Sequence, residues 1–202
     1  LLREVAAARP EAEALVEVRQ DGSGGQHWTY AELLKDAERL AKALSTRFVP
    51  GERVVVWSPN SPEWVLLEYA SALSGLVLVT ANPAFQAREL DYVLEQSGAV
   101  ALFLVKEFRG NPMGQIGTEV AASIPSLREV TDMESAALYT QGSRPIALPD
   151  ADPGDAAMIQ YTSGTTGFPK GVMLTHFNIV NNGYNIGKCM ELSEMDRLCI
   201  PV

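Results

Sequence analysis

The chain has 202 residues, 47% of them hydrophobic and 20% charged, a globular balance that excludes a disordered chain and suffices for one substantial domain or two small ones. A formal net charge of −9 repels nucleic acid and anionic membranes, so neither is expected as a partner and any phosphate site has to be organised locally. Two cysteines and two histidines, with no CxxC, argue against a zinc centre or a disulfide framework and predict two reduced, partly buried thiols at Cys189 and Cys199.

From the amino terminus, Ala14–Val18 reads as a short strand and the "DGSGGQ" of residues 21–26 as a turn. In "TYAELLKDAERLAKAL" Leu33, Ala37, Leu40 and Leu44 recur at helical spacing, with Thr29 and Glu32 as a capping box. "RVVVW" at 53–57 is β-branched without alternation, as strands of a parallel sheet tend to be. The pattern then repeats: a helix capped by Ser61 and closed by Gly75, the strand "LVLVT", a helix ending on Gly98, and the strand "VALFLV" at 100–105. Short connections between alternating strands and helices predict an α/β fold of mostly parallel β-sheets flanked by helices.

Further on, "MGQIGTEVAASI" reads as a helix loosened by glycine and "LREVT" as a short strand. Residues 140–155 hold three prolines, two glycines and three aspartates. This composition suggests a linker. The expected organisation is a first lobe over 1–138, a linker over 139–153 and the start of a second lobe over 154–202. "AAMIQYTS" is the strand that opens it, "HFNIVNNGYNIGK" a helix capped by Thr175, and "DRLCIPV" the beginning of a further strand. No apolar run reaches the ~18 residues of a membrane span. The chain opens on Leu1 and stops within that last strand, so it reads as a fragment of a longer protein. Its native amino terminus and any targeting peptide are then out of view, and a cytoplasmic location is the starting expectation. A cut through a continuous sheet would leave apolar surface, and self-association is expected of such a piece.

The stretch "YTSGTTGFPKG" at 161–171 carries the chemistry. It is read as a loop between a strand and a helix, where open α/β sheets place their ligands. Gly164, Gly167 and Gly171 let the backbone turn successive N–H groups inward. Thr162, Ser163, Thr165 and Thr166 add hydroxyl donors, and Lys170 adds one positive charge. Such a nest suits a polyphosphate. It is not a Walker loop, because Pro169 stands where that motif needs glycine and Gly171 where it needs Ser or Thr.

"YTSGTTGFPKGVMLTH" resembles the signature of the adenylate-forming superfamily: acyl-CoA synthetases, firefly-type luciferases and the adenylation domains of peptide synthetases. The pattern [ST]-S-G-[ST]-[ST]-G-x-P-K-G is met at every defined position from Thr162 to Gly171. "WTYAEL", "GERVVVWSPNSPEWV" and "TANPAFQARELDYVLEQSGAVALF" are similar to the amino-terminal region of acyl-CoA synthetases. The NP-x-[YF]-x-x-x-EL element, Asn82 to Leu90, points toward fatty acyl-CoA ligases rather than peptide synthetases.

The resemblance implies a two-step reaction: a carboxylic acid and ATP give an acyl-adenylate and pyrophosphate, and coenzyme A then takes the acyl group. It implies that Thr162, Ser163, Gly164, Thr165, Thr166, Gly167, Phe168, Pro169 and Lys170 wrap the β- and γ-phosphates, with Mg2+ sharing their charge. The family's other catalytic residues are expected downstream of Val202, so the 202 residues alone are expected to be inactive. The rival readings are another adenylating enzyme and a non-catalytic nucleotide-binding fragment. Among other residues, Trp57 and Trp64 read as core, His176 as packing or capping, and Asp150, Asp152 and Asp155 as solvated turn formers.

Overall fold

The computed structural model describes residues 1–19, 21–140, 146–162 and 169–200. A short helix α1 (Leu2–Ala8) precedes an antiparallel hairpin of β1 (Glu13–Val18) and β2 (Gly24–Thr29). The turn between them is confined to the residues around Gly22, where the Ser23 carbonyl accepts from the Arg19 N–H at 3.0 Å. The glycines at 24 and 25 therefore lie in a strand rather than in the expected turn. Their strand continues to Trp28, which is buried and sits opposite Leu15. Helix α2 (Tyr30–Ser45) begins on the predicted capping box, Thr29 and Glu32 each holding the other's backbone N–H.

The main body is a six-stranded sheet in the order β6-β5-β3-β4-β7-β8. β3 (Arg53–Trp57), α3 (Pro62–Leu73), β4 (Val77–Ala81), α4 (Ala87–Ser97), β5 (Ala101–Leu104), α5 (Met113–Ala121) and β6 (Glu129–Asp132) follow in strict alternation. After α6 (Ala136–Thr140) come β7 (Ala156–Thr162), β8 (Lys170–Thr175) and α7 (His176–Cys189). All neighbours pair parallel except β7 and β8, which are antiparallel. β7 pairs with β4 within this one sheet.

Unalternating strands follow from cover on both faces. Val54, Val56, Leu78 and Phe103 pack with α2 and α3 in one core, while Val55, Trp57, Val79 and Leu102 pack with α4 and α5 in the other. The chain steps from β3 to β4 in one direction through α3 and back to β5 through α4, and the two helices lie on opposite faces. That is what right-handed crossovers in opposite directions require. Gly75 and Gly98 end α3 and α4 at φ +71° and +60°, where a side chain would be strained.

Other expectations are corrected. Residues 196–200 form no strand and find no ladder partner among the described residues; β8 is the edge strand on that side of the sheet. Cys189 and Cys199 are free but exposed: Cys189 ends α7, which buries none of its residues, and Cys199 lies in the exposed segment after it. α1 and α6 were not anticipated; at seven and five residues they are too short to show a period.

Candidate functional site

The carboxyl ends of β3, β4, β5, β6 and β7 share one edge, because these strands run parallel. Ligands of open α/β sheets bind along such an edge. Thr162 ends β7 there and faces Lys170, the first residue of β8, as the last ladder pair among the described residues. The glycine-rich loop is thus the connection of a β-hairpin. The expected strand-to-helix turn is wrong in its second half: Lys170–Thr175 is a strand, and the helix capped by Thr175 starts only after it. Ser163, Gly164, Thr165, Thr166, Gly167 and Phe168 lie outside the described residues.

Lys170 is exposed at the hairpin mouth and has no ion-pair partner among the described residues. Lys106, at the same edge, is by contrast held 3.1 Å from Asp132. A lysine without a carboxylate is available to an anion. Thr162 is likewise exposed, so a hydroxyl and an ammonium flank the two ends of the loop.

Packing under the hairpin explains Gly171. It sits opposite Tyr161 in the ladder, and a Cβ on it would come within 3.0 Å of Ile159 Cγ2 and 3.3 Å of Tyr161 Cζ. The Tyr161 ring covers the glycine and meets Tyr92 of α4 edge-on, with ring centroids 6.3 Å apart. Burial, and then the neighbouring Tyr92, push the Tyr161 phenol up to about 12, so its proton stays in place at neutral pH. The Tyr92 hydroxyl donates to the Pro169 carbonyl at 3.1 Å, and the Gln96 amide donates to the Tyr92 oxygen at 2.7 Å.

The NP-x-F element positions that helix. The Trp57 indole donates to the Asn82 carbonyl at 2.9 Å, and the Asn82 side chain accepts from the Ala84 N–H. Asn111 donates to the carbonyls of Pro83 and Phe85, both at 3.2 Å. Gln86 and Glu89 then cap α4. Tyr92, Gln96, Tyr161 and Asn111 were not singled out in the sequence. The i, i+4 spacing of Tyr92 and Gln96 was visible; their partner across 77 residues was not.

Trp57 is fully buried and Trp64 packs against the first core, as expected. Asp152 and Asp155 close a turn through the N–H groups of Gly154 and Asp152. No group of three or more His, Cys, Asp or Glu gathers as a metal cage among the described residues, and no helix among them is long and apolar enough to cross a membrane.

A three-layer α/β sheet with a Gly/Thr/Lys hairpin loop at its carboxyl edge defines the amino-terminal domain of adenylate-forming enzymes. The chain belongs to the AMP-binding enzyme family, whose profile matches residues 2–202. YngI of Bacillus subtilis (strain 168) is 35% identical over 231 residues, covering all of this chain and 41% of its own length. The human medium-chain acyl-CoA ligase ACSF2, mitochondrial, is 35% identical over 214 residues, 92% of this chain and 34% of its own. Among solved structures, a long-chain-fatty-acid-CoA ligase (FadD1) from Archaeoglobus fulgidus superposes with a TM-score of 0.83 at 28% identity, over 96% of this chain and 40% of its own. The chain therefore spans less than half the length of these relatives.

Proposed function

We propose that the protein carrying this chain is an AMP-forming acid–thiol ligase for fatty acids. It joins a carboxylate to the α-phosphate of ATP, releases pyrophosphate, and passes the acyl group from AMP to coenzyme A. One observation carries the reading: Thr162 and Lys170, the flanking positions of the ten-position motif, pair at the carboxyl edge of the sheet, with Lys170 exposed and unpaired among the described residues. The relatives' names, which specify medium-chain and long-chain acids, support a fatty acid as the substrate.

In this reading Thr162, Ser163, Thr165 and Thr166 donate hydroxyl hydrogen bonds to the β- and γ-phosphates. Gly164, Gly167 and Gly171 give the backbone the freedom to turn N–H groups toward the phosphates, Pro169 stiffens the exit, and Lys170 offsets the charge. Pyrophosphate becomes a better leaving group through positioning and electrostatics. Mg2+ would travel on the phosphates with water, as it does in sites with few protein ligands. The described residues supply no carboxylate cage for it, and no step of this chain is assigned to it. The division into a lobe over 1–138, a linker over 139–153 and a second lobe from 154 belongs to the same proposal. So do a cytoplasmic location and the inactivity of the 202 residues alone. Subcellular fractionation checks the former, and acid-dependent pyrophosphate release by the pure chain would overturn the latter.

The test is ATP–pyrophosphate exchange by the intact protein against a ladder of fatty acids, beside Lys170→Ala. Losing one charge-assisted hydrogen bond should cost roughly 10- to 150-fold in kcat/KM for ATP. Acid-dependent exchange with that loss supports the ligase, and the preferred acid names its substrate. Measurable ATP binding without exchange for any acid refutes it.

A further inference from the structure

The Pro169 carbonyl lies one residue beyond the ladder pair Thr162 and Lys170, the last pair among the described residues. Proline has no N–H, and this carbonyl is its one backbone group able to hydrogen-bond. A partner comes from another element: Tyr92 of α4 donates to it at 3.1 Å. Gln96 supplies a donor to the Tyr92 oxygen at 2.7 Å, which leaves the single phenolic proton for Pro169. The Tyr92 ring also abuts Tyr161, which lies over Gly171. The residues on either side of Lys170 are therefore both fixed from α4, one by a hydrogen bond and the other through a ring.

We propose that Tyr92, oriented by Gln96, is a positioning residue that holds the Lys170 end of the phosphate loop in register for ATP. This inference rests on the ligase reading above. Tyr92 touches no substrate; it acts by fixing the peptide that carries Lys170. The chemistry assigns each partner a direction. A phenylalanine at 92 keeps the ring against Tyr161 and loses the bond to Pro169. A carboxylate at 96 can only accept, so it draws the Tyr92 proton away from Pro169.

The experiment compares Tyr92→Phe, Gln96→Glu and their combination with wild type in ATP–pyrophosphate exchange. The KM for ATP should rise about three- to tenfold in each single variant, while kcat and the KM for the acid stay within twofold. General destabilisation would lower kcat and leave both KM values alone. Adding Gln96→Glu to Tyr92→Phe should cost nothing further, because both remove one bond; an additive loss would mean that the new charge acts on ATP directly and would refute the role of Gln96. An unchanged KM for ATP in Tyr92→Phe overturns the positioning role.

A second readout does not depend on activity. Pro169–Lys170 is the one Pro–Lys pair in the 202 residues. Labelling proline carbonyls with 13C and lysine nitrogens with 15N gives a single correlation from this chain. Its carbonyl shift should move upfield in Tyr92→Phe. If wild type shows no exchange with any acid but the shift still moves, the ligase reading fails and the bond to Pro169 stands. An unmoved carbonyl shift overturns the bond whatever the activity.

Discussion

Replacing Gly171 with alanine tests the packing beneath the hairpin. Two effects oppose each other. Alanine removes glycine's extra freedom in the unfolded chain, a gain of about 0.5–1 kcal/mol where the backbone accepts it. The new Cβ, however, would lie 3.0 Å from Ile159 Cγ2 and 3.3 and 3.4 Å from Tyr161 Cζ and hydroxyl oxygen, inside the ~3.5–4.0 Å at which carbon atoms attract. Ile159 and Tyr161 both pack against the second core, so they give way only by disturbing it, and overpacking of this kind costs about 1–3 kcal/mol. The net expectation is a loss of about 1 kcal/mol. Gly183 is the control. A Cβ there meets nothing within 4 Å and lies within α7, so Gly183→Ala should stabilise by about 1 kcal/mol through helix propensity alone. Urea unfolding with an unchanged m-value reads both from the midpoints. If Gly171→Ala stabilises as much as Gly183→Ala, the Tyr161 ring does not cover Gly171.

Trp57→Phe leaves the Asn82 carbonyl without its indole donor and opens space in a fully buried site. A loss of about 2–4 kcal/mol in urea unfolding is expected, and one below about 1 kcal/mol would contradict the bond. Burial on α3 holds the Glu68 carboxyl above its ordinary value of 4.5, so the folded state binds that proton more tightly than the unfolded chain. Its contribution is complete below 4.5 and is lost as pH rises through the folded value. Glu68→Gln should therefore gain on wild type in urea midpoint between about pH 4.5 and pH 8, and a pH-independent difference would refute the burial. Phe177, Tyr184 and Met195 are 60%, 61% and 81% exposed along α7 and the segment after it. Sedimentation velocity should show the 202-residue chain self-associating with concentration and Tyr184→Ser reducing it; a monomer at every concentration removes that expectation.

What the sequence made legible follows from where each signal resides. "RVVVW" announced a strand covered on both faces because the two cores share its alternate residues. The helix caps at Thr29 and Thr175 are local, and both formed as read; the box that Asn178 completes at Thr175 was not anticipated. The proposed ligand chemistry of the glycine-rich stretch rests on composition, since hydroxyls, glycines and one lysine need no long-range partner to suggest a polyphosphate nest. Its place in the fold was misread for a related reason. Pro169 and Gly171 read as loop punctuation, and they masked a strand, Lys170–Thr175, whose own apolar core is only Val172, Met173 and Leu174. Pairing with β7 decides that strand, and pairing is not a local property.

The mooring of the loop was out of reach for a stronger reason. A loop built from glycine and short hydroxyl side chains loses little side-chain freedom when it binds phosphate, but each ordered residue still costs about 1–2 kcal/mol of backbone freedom. That cost falls if the ends are fixed in advance. The ladder pair Thr162 and Lys170 fixes both ends at once, which a strand-to-helix turn cannot do. Proline then restricts φ at the next position, and Tyr92 occupies its carbonyl from α4. On the proposed ligase reading, each device removes freedom before ATP arrives, and together they fix the backbone that carries the Lys170 ammonium. The hairpin and the tyrosine on α4 thus do one physical job, and only the folded sheet brings them together.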